Sequence, residues 1–321
     1  MRIVLCGGGG FIGSALAPEL VQRGHDVTVL DLFWFGRAMP SDVTDVKQEL
    51  FDCCGDDFEN ADVVVFLAGL SNDPMAEFSP ALNFKYNAAL PALLAFLARG
   101  IGVRRFVYAS SCSVYGWAPD EEQTESGTID CDYPYGIAKL QGEAGVSRML
   151  CDGEFEVVAL RKGTVCGHSP RPRADLIVNA MIKSALTEGV IYINDATTWR
   201  PLLSVRDAVR AYVRAIEGRA SGVFNVASVN ATVREVADDV LATLCLFKYG
   251  AGVEIVHRMR KDRRSYRVST ASFRAVFGNC FSDGVRDMAA SVLQNLEAYG
   301  DFSDPALSNI ETFKALGENL S

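Results

Sequence analysis

Short apolar runs alternate with helical patterns through the first half of the chain, and this alternation constrains the fold most. The runs are RIVLCG, DVTVLD, DVVVFLAG, RRFVYAS and FEVVALRKG. They are apolar on both faces, as strands are in a parallel sheet that helices cover on both sides. The sequence therefore predicts an α/β fold with a doubly wound parallel sheet of the Rossmann type.

Beyond Gly167 the alternation loosens, and no repeat or flexible linker separates the two halves of the chain. We therefore expect a second, smaller C-terminal domain that is interwoven with the first. The predicted Rossmann domain comprises residues 1–168 plus about 199–228, and the substrate domain comprises about 169–198 and 229–321.

Composition and charge argue against several classes of protein. The 321 residues carry a formal net charge of −9, which disfavours nucleic acid as a partner. The nine cysteines form no CxxC pair and the chain has only three histidines, so no metal site is expected and reduced thiols indicate a cytoplasmic protein. Four consecutive glycines argue against an N-terminal signal peptide, and no stretch approaches the ~20 apolar residues of a membrane span.

A glycine-rich turn follows the first predicted strand and begins a predicted helix. In CGGGGFIG, Gly7, Gly10 and Gly13 are spaced so that bare backbone and a helix N-terminus can approach a pyrophosphate. Asp31 ends the second predicted strand, where a carboxylate accepts hydrogen bonds from the adenosine ribose and repels a 2′-phosphate. Asp52, expected at the end of the third strand, would face the adenine. These features predict NAD as the cofactor.

A serine, a tyrosine and a lysine follow the fourth apolar run in an order that suits proton transfer. Ser111 lies at the carboxyl end of that strand, and Tyr135 and Lys139 share one face of a helix at i and i+4. A nearby positive charge lowers a tyrosine pKa by about 1 to 3 units, so we expect Lys139 and the oxidised nicotinamide to make Tyr135 a usable base. Ser111 would orient the substrate oxygen. The arrangement suits removing a proton from an alcohol while a hydride leaves the same carbon.

The sequence resembles the extended short-chain dehydrogenase/reductases that act on nucleotide sugars, the NAD-dependent epimerase/dehydratase family. The resemblance extends over essentially the whole chain and is carried by GGGGFIG, VTVLD, FLAGLSNDP, FKYNAAL, SSCSVYG, YPYGIAK, VVALRKGTVCG and RPLLSVRDAVRAYV. It implies that Ser111, Tyr135 and Lys139 are catalytic. It also implies a homodimer formed through two helices, residues 83–99 and 135–149. The expected cofactor contacts are Gly7, Gly10, Phe11, Ile12, Gly13, Asp31, Asp52, Leu67, Ala68, Asn87 and Lys139.

The resemblance implies a nucleotide-diphosphate sugar as the substrate. Arg200 in TWRPLL matches an arginine that the family directs at the substrate diphosphate, and the basic run HRMRKDRRSYR offers Arg258 or Arg260 for the same purpose. Thr164 stands where family members often carry asparagine after the fifth strand. The expected substrate contacts are Ser111, Thr164, Arg171, Arg173, Arg200, Arg258 and Arg260.

Departures from the family pattern narrow the range of reactions that the sequence predicts. Cys112 and Ser113 stand where sugar 4,6-dehydratases carry an Asp-Glu pair, so dehydration lacks its acid and base. The leading hypothesis is an NAD-dependent nucleotide-sugar epimerase that oxidises a ring hydroxyl at C4 transiently. One alternative is a 4-dehydrogenase or a uronic-acid decarboxylase, and the latter would need a cation for the carboxylate. An alternative from another class is a non-catalytic, dinucleotide-binding regulatory module.

Overall fold

The computed structural model describes residues 1–149, 154–258 and 264–317. Within these ranges the strands, in chain order, are β1 (Arg2–Cys6), β2 (Asp26–Asp31), β3 (Thr44–Lys47), β4 (Val63–Phe66), β5 (Arg105–Ser111), β6 (Trp117–Gln123), β7 (Glu156–Lys162), β8 (Thr164–Cys166), β9 (Val190–Ile193), β10 (Trp199–Ser204), β11 (Gly222–Val226), β12 (Val229–Thr232), β13 (Glu254–His257) and β14 (Ser265–Val268). The helices are α1 (Gly13–Gln22), α2 (Asp73–Phe78), α3 (Pro80–Phe84), α4 (Leu90–Gly100), α5 (Pro134–Ser147), α6 (Ile177–Glu188), α7 (Val205–Glu217), α8 (Val233–Leu246), α9 (Ala271–Phe277), α10 (Val285–Leu293) and α11 (Asn309–Gly317).

Seven strands form one sheet in the spatial order β3–β2–β1–β4–β5–β7–β11. All neighbours in this sheet run parallel. The chain winds outward in one direction from β1 to β3 and in the other direction from β4 to β11. Between β1 and β4 the winding reverses, and this reversal opens a crevice at the carboxyl ends of the strands. The prediction of a doubly wound parallel sheet is confirmed.

The two faces of the large sheet bury separate cores because successive side chains of a strand point to opposite sides. In β1, Ile3 and Leu5 join a core with α1 and α7, whereas Val4 and Cys6 join one with α4 and α5. All four side chains are almost completely buried. This double coverage explains why the strands are apolar on both faces.

The later part of the chain builds a separate core around α6, α8 and α10. Its small sheets have the orders β12–β10–β8, β13–β9 and β14–β6. The chain enters this core after β7 and returns to add β11 to the edge of the large sheet, so the two parts are interwoven. The proposed domain boundaries stay a prediction.

The helical segment Pro80–Gly100 is long and apolar enough, by length and composition alone, to cross a membrane. The expectation that no stretch approaches a membrane span is therefore wrong on those two criteria. Packing in the core also accounts for apolar residues in this segment, because Leu90 and Leu94 of α4 are fully buried against the large sheet. A core-facing helix stripe and a membrane span share this feature of sequence.

Candidate active site

A cavity of about 560 Å³ lies at the carboxyl ends of the strands of the large sheet. Its walls come from the turns after β1, β2, β4, β5 and β7, together with α5 and loops of the later part of the chain. The cavity brings together most of the side chains that the sequence singled out. The predicted residues that line it are Gly7, Gly10, Phe11, Ile12, Gly13, Asp31, Leu67, Ala68, Ser111, Tyr135, Lys139, Thr164, Arg171, Arg173 and Arg200.

The glycine turn and Asp31 form one end of the cavity. Gly7 has φ +83°, and a methyl group there would overlap the backbone of Ala68. Glycine is therefore the residue that this turn accepts. The Asp31 carboxylate accepts hydrogen bonds from the N–H groups of Gly9 (2.9 Å) and Phe33 (2.7 Å). Burial raises the pKa of Asp31, although these hydrogen bonds oppose the shift.

Arg171 brings an unpaired guanidinium to the same end of the cavity. Its side chain is 3% exposed, lies 4.0 Å from the ring centroid of Phe35, and has Nη1 and Nη2 without hydrogen-bond partners among the described residues. Burial lowers its pKa to about 9. Its backbone N–H donates to Ser14 Oγ (3.2 Å) in the first turn of α1. A buried cation without a partner indicates that an anionic ligand binds here.

Ser111, Tyr135 and Lys139 meet at the other end of the cavity. The side chains of Ser111 and Tyr135 are hydrogen-bonded to each other. Lys139 Nζ lies 6.0 Å from the centroid of the Tyr135 ring and donates to the carbonyl of Ala109 (3.1 Å). Pro134 begins α5, as the fixed φ of proline favours, and places Tyr135 in its first turn.

The pKa of Tyr135 differs from our expectation. In the protein alone, burial and the negative charge of Asp73 raise this pKa, and the hydrogen bond from Ser111 opposes the rise. Burial, together with the charge of Lys162, holds the pKa of Lys139 well below its usual range. The expected lowering of the Tyr135 pKa by Lys139 does not occur in the protein alone, because burial raises the Tyr135 pKa most strongly and lowers the pKa of Lys139 itself.

A buried ion pair fixes α5 against the sheet. Glu143, two turns after Tyr135, pairs with Arg161 of β7 (Oε1 to Nη2, 2.7 Å) and accepts a hydrogen bond from Ser110 Oγ (2.6 Å). Arg161 Nη1 also donates to the hydroxyl of Tyr115 (2.9 Å). These contacts lie on the same side of α5 as Tyr135 and Lys139, and they hold the position of the helix relative to β5 and β7.

Three further arginines line the cavity, namely Arg173, Arg200 and Arg264. Arg200 is buried, and its Nη1 donates to the carbonyl of Trp199 (2.8 Å) and to that of Arg264. Arg264 also lines the cavity and pairs with Asp73. Arg173 forms a two-point ion pair with the carboxylate of Asp175.

Two predicted cofactor contacts lie outside the cavity. Asp52 is exposed on the turn Leu50–Asp52, because β3 already ends at Lys47. Glu49 lines the cavity instead. Asn87 is buried behind the cavity wall, where its Nδ2 donates to the carbonyl of Leu70 (2.9 Å) and so supports the loop after β4. Neither Asp52 nor Asn87 lines the cavity, and their direct contact with the cofactor stays a prediction.

The basic run HRMRKDRRSYR lines the cavity through a residue other than the expected Arg258 or Arg260. Arg258 is exposed, and its guanidinium lies 3.4 Å from the ring centroid of Tyr192, away from the cavity. Arg260 lies outside the described residues. Arg264 reaches the cavity instead.

Several further side chains that line the cavity were not assigned from the sequence, among them Asp73, Lys162, Arg264 and Tyr266. Each of these four lies in a segment that was quoted above, either for the family resemblance or as the basic run. Asp73 belongs to FLAGLSNDP, Lys162 to VVALRKGTVCG, and the other two to HRMRKDRRSYR. Their types carried no signal in isolation, because charged residues at loop and strand ends are usually solvated.

The last helix closes one wall of the cavity. Asn309, at the start of α11, lines the cavity, and its Nδ2 donates to Ser71 Oγ (2.7 Å). Its backbone N–H donates to Asp175 Oδ2 (3.1 Å). Phe313 packs on Trp34 with ring centroids 5.7 Å apart, and Trp34 also lines the cavity.

Comparison with known proteins agrees with this geometry. The model of the NAD dependent epimerase/dehydratase family matches residues 3–227. The chain belongs to this family. It is 29% identical to the UDP-glucose 4-epimerase of Mycolicibacterium smegmatis over 252 residues, covering 73% of this chain and 80% of that protein. It is 26% identical to the UDP-N-acetyl-alpha-D-glucosaminuronate decarboxylase of Bacillus cytotoxicus over 262 residues, covering 74% and 79%.

A solved structure of the family supports the same conclusion. MoeE5 in complex with UDP-glucuronic acid and NAD superposes with a TM-score of 0.80 and 27% identity, covering 92% of this chain and 98% of that one. The family is NAD-dependent, and the prediction of NAD as the cofactor is confirmed.

The residues of this epimerase/dehydratase family member fit the dinucleotide. The turn at Gly7 brings bare backbone to the cavity, and Asp31 supplies the carboxylate at the end of β2. The two unpaired nitrogens of Arg171 are suited to the pyrophosphate. Arg171, which we expected at the substrate, therefore suits the cofactor better, since the charge of Asp31 acts on it.

Proposed function

We propose that the protein is an NAD-dependent nucleotide-sugar epimerase that transiently oxidises a ring hydroxyl at C4. The observation that carries this proposal is the hydrogen-bonded pair of Ser111 and Tyr135 beside Lys139, at the end of the cavity opposite the glycine turn. A similar protein that is a UDP-glucose 4-epimerase supports it.

In this proposal Tyr135 takes the proton from the sugar hydroxyl, and Ser111 holds the reacting oxygen by a hydrogen bond. Bound NAD would supply the hydride acceptor and donor. For inversion at the carbon, the ketone would have to turn over in the cavity and take the hydride back on its other face. Lys139 holds the nicotinamide ribose, and its positive charge favours the phenolate of Tyr135. Because Tyr135 is buried and its pKa is raised in the protein alone, proton removal depends on these positive charges.

The proposed substrate is a nucleotide-diphosphate sugar. Arg200 and Arg264 line the cavity and present guanidinium groups that suit a diphosphate. Thr164 lines the cavity as well, and its hydroxyl can bind the sugar. The sequence departures at Cys112 and Ser113 support epimerisation over 4,6-dehydration.

We also propose a homodimer through α4 and α5. Phe96 is 61% exposed and Leu93 is 38% exposed, and both lie on the face of α4 that is turned away from the sheet. Neighbouring large apolar side chains on one helix face indicate a surface that a partner covers, and a two-fold contact would bury the same face of both copies.

The test incubates the purified protein and its Tyr135→Phe variant with NAD and candidate UDP-sugars. We expect the wild type to convert one sugar to its C4 epimer with unchanged mass and no lasting NADH absorbance. The variant should lose about 100- to 10,000-fold in kcat, as expected for removal of a general base. Accumulating NADH would indicate a 4-dehydrogenase, and loss of CO₂ a decarboxylase. Identical behaviour of wild type and variant in every assay would favour the regulatory module.

A further inference from the structure

Lys162 brings a second ammonium group to the reacting end of the cavity. It ends β7 and is paired in register with Ser111 of β5. Its Nζ donates to the carbonyl of Ser110 (2.7 Å), and the side chain lines the cavity. The group therefore lies close to the proposed catalytic serine, on a rigid strand rather than on a loop.

The charge of Lys162 has no acidic partner in the part of the chain that the structure describes, and neither has that of Lys139. Burial lowers the pKa of Lys162 to about 8, so the amine is still mostly protonated at neutral pH. Burial first, and then the charge of Lys162, lower the pKa of Lys139, so protonation of one amine disfavours protonation of the other. Such an arrangement is costly unless an anion enters the cavity.

Two acidic side chains near this end of the cavity already have cationic partners. Glu143 pairs with Arg161 behind α5, and Asp73 pairs with Arg264. An oxidised nicotinamide is itself positive, and the diphosphate of the proposed substrate is assigned to the arginines. We therefore expect the negative charge that balances Lys162 to lie on the sugar, close to the carbon that reacts.

We propose that the substrate is a nucleotide-linked hexuronic acid and that Lys162 selects it by pairing with its carboxylate. This inference rests on the proposed function and names the substrate class of the same site. The carboxylate of a hexuronic acid is attached to C5, the ring carbon next to C4. A neutral hydroxymethyl group at the same position would leave the ammonium of Lys162 unpaired. Thr164, two positions further along, lines the same cavity and can donate to the second carboxylate oxygen.

The experiment compares UDP-glucuronic acid with UDP-glucose in the NAD-loaded protein and in its Lys162→Met variant. We expect the wild type to prefer the uronic acid in kcat/KM by about 10- to 100-fold, the range for one charge-assisted hydrogen bond. Lys162→Met should remove that preference mainly through a higher KM for the uronic acid, so the readout is the ratio of the two kcat/KM values in each variant. Lys162→Arg should restore part of the preference.

The matched control is Lys47→Met, which removes an exposed lysine at the end of β3 and should leave the preference unchanged. An equal loss of rate on both sugars would overturn the proposal, as would a wild-type preference for UDP-glucose. Calorimetric titration with NAD supplies a separate readout. If Lys162→Met weakens NAD binding as strongly as uronic-acid binding, the ammonium serves the cofactor and the proposal is wrong.

Failure of the proposed epimerisation can be told apart from failure of this inference. If neither sugar is converted, the melting temperature is measured with each sugar in turn. A larger shift with UDP-glucuronic acid that disappears in Lys162→Met would still support the carboxylate site. Equal shifts with both sugars, or no shift with either, would reject it.

Discussion

Burial raises the pKa of Tyr135 most strongly, and a small number of nearby groups adjust it. Asp73 raises its pKa, and the hydrogen bond with Ser111 lowers it. Asp73 is the first residue of α2, so a helix that contributes no catalytic side chain still sets the proton affinity of the proposed base. Because only the phenolate accepts a proton, a higher pKa shifts activity toward higher pH.

Replacing Asp73 with asparagine should lower the pKa of Tyr135, because a negative charge is removed. We expect the rising limb of the kcat–pH profile to move to lower pH by up to about one unit. The profile of the Asp73→Asn variant is compared with that of Asp42→Asn, which changes an exposed aspartate. A rising limb that stays at the same pH in both variants would show that Asp73 does not act on Tyr135.

At the scale of elements, α5 functions as a rigid carrier for the proposed catalytic pair. Tyr135, Lys139 and Glu143 follow one another at intervals of four along its inner face. The first two face the cavity, and the third binds Arg161 of β7. The helix is thus held by a charge pair that lies outside the cavity but determines where the tyrosine points.

The variant Glu143→Gln should be strongly destabilised, since it leaves the Arg161 guanidinium buried without its counter-charge. Loss of one partner of a buried pair costs about 3–5 kcal/mol, which we expect in the free energy of unfolding measured with urea. The exposed residue Glu77 supplies the control substitution Glu77→Gln, for which we expect a change within about 0.5 kcal/mol. A loss below about 1 kcal/mol in Glu143→Gln would mean that the pair contributes little.

The elements of the large sheet could be predicted from the sequence because burial on two faces leaves an unambiguous apolar run, as in Val63–Phe66. Asp52 was misplaced because the edge strand β3 is short and mostly exposed and carries no such run. Lys162 lies in a segment that was assigned to a strand, but its proposed role depends on its having no acidic partner among the residues that the structure describes, and only the packed structure shows this. The position of Asn87 behind the cavity wall also depends on packing, because its Nδ2 donates to the carbonyl of Leu70.

At the scale of the whole molecule, a substitution on the outer face of α4 tests whether the protein is a monomer or the proposed dimer. We expect Phe96→Asp to convert a dimer into a monomer, because a carboxylate would be buried in an apolar interface. Light scattering after size exclusion measures the mass. Leu246→Asp changes a side chain that is 79% exposed on α8 and should leave the mass unchanged. A monomeric wild type would contradict the proposal directly.

The position of α11 has a consequence for how the protein is made. Asn309 and the glycine turn at Gly7 border the same cavity, although about three hundred positions separate them in the sequence. A ribosome must therefore deliver α11 before this wall of the cavity can form. We expect translation products that stop before α11 to gain less stabilisation from NAD against proteolysis than longer ones.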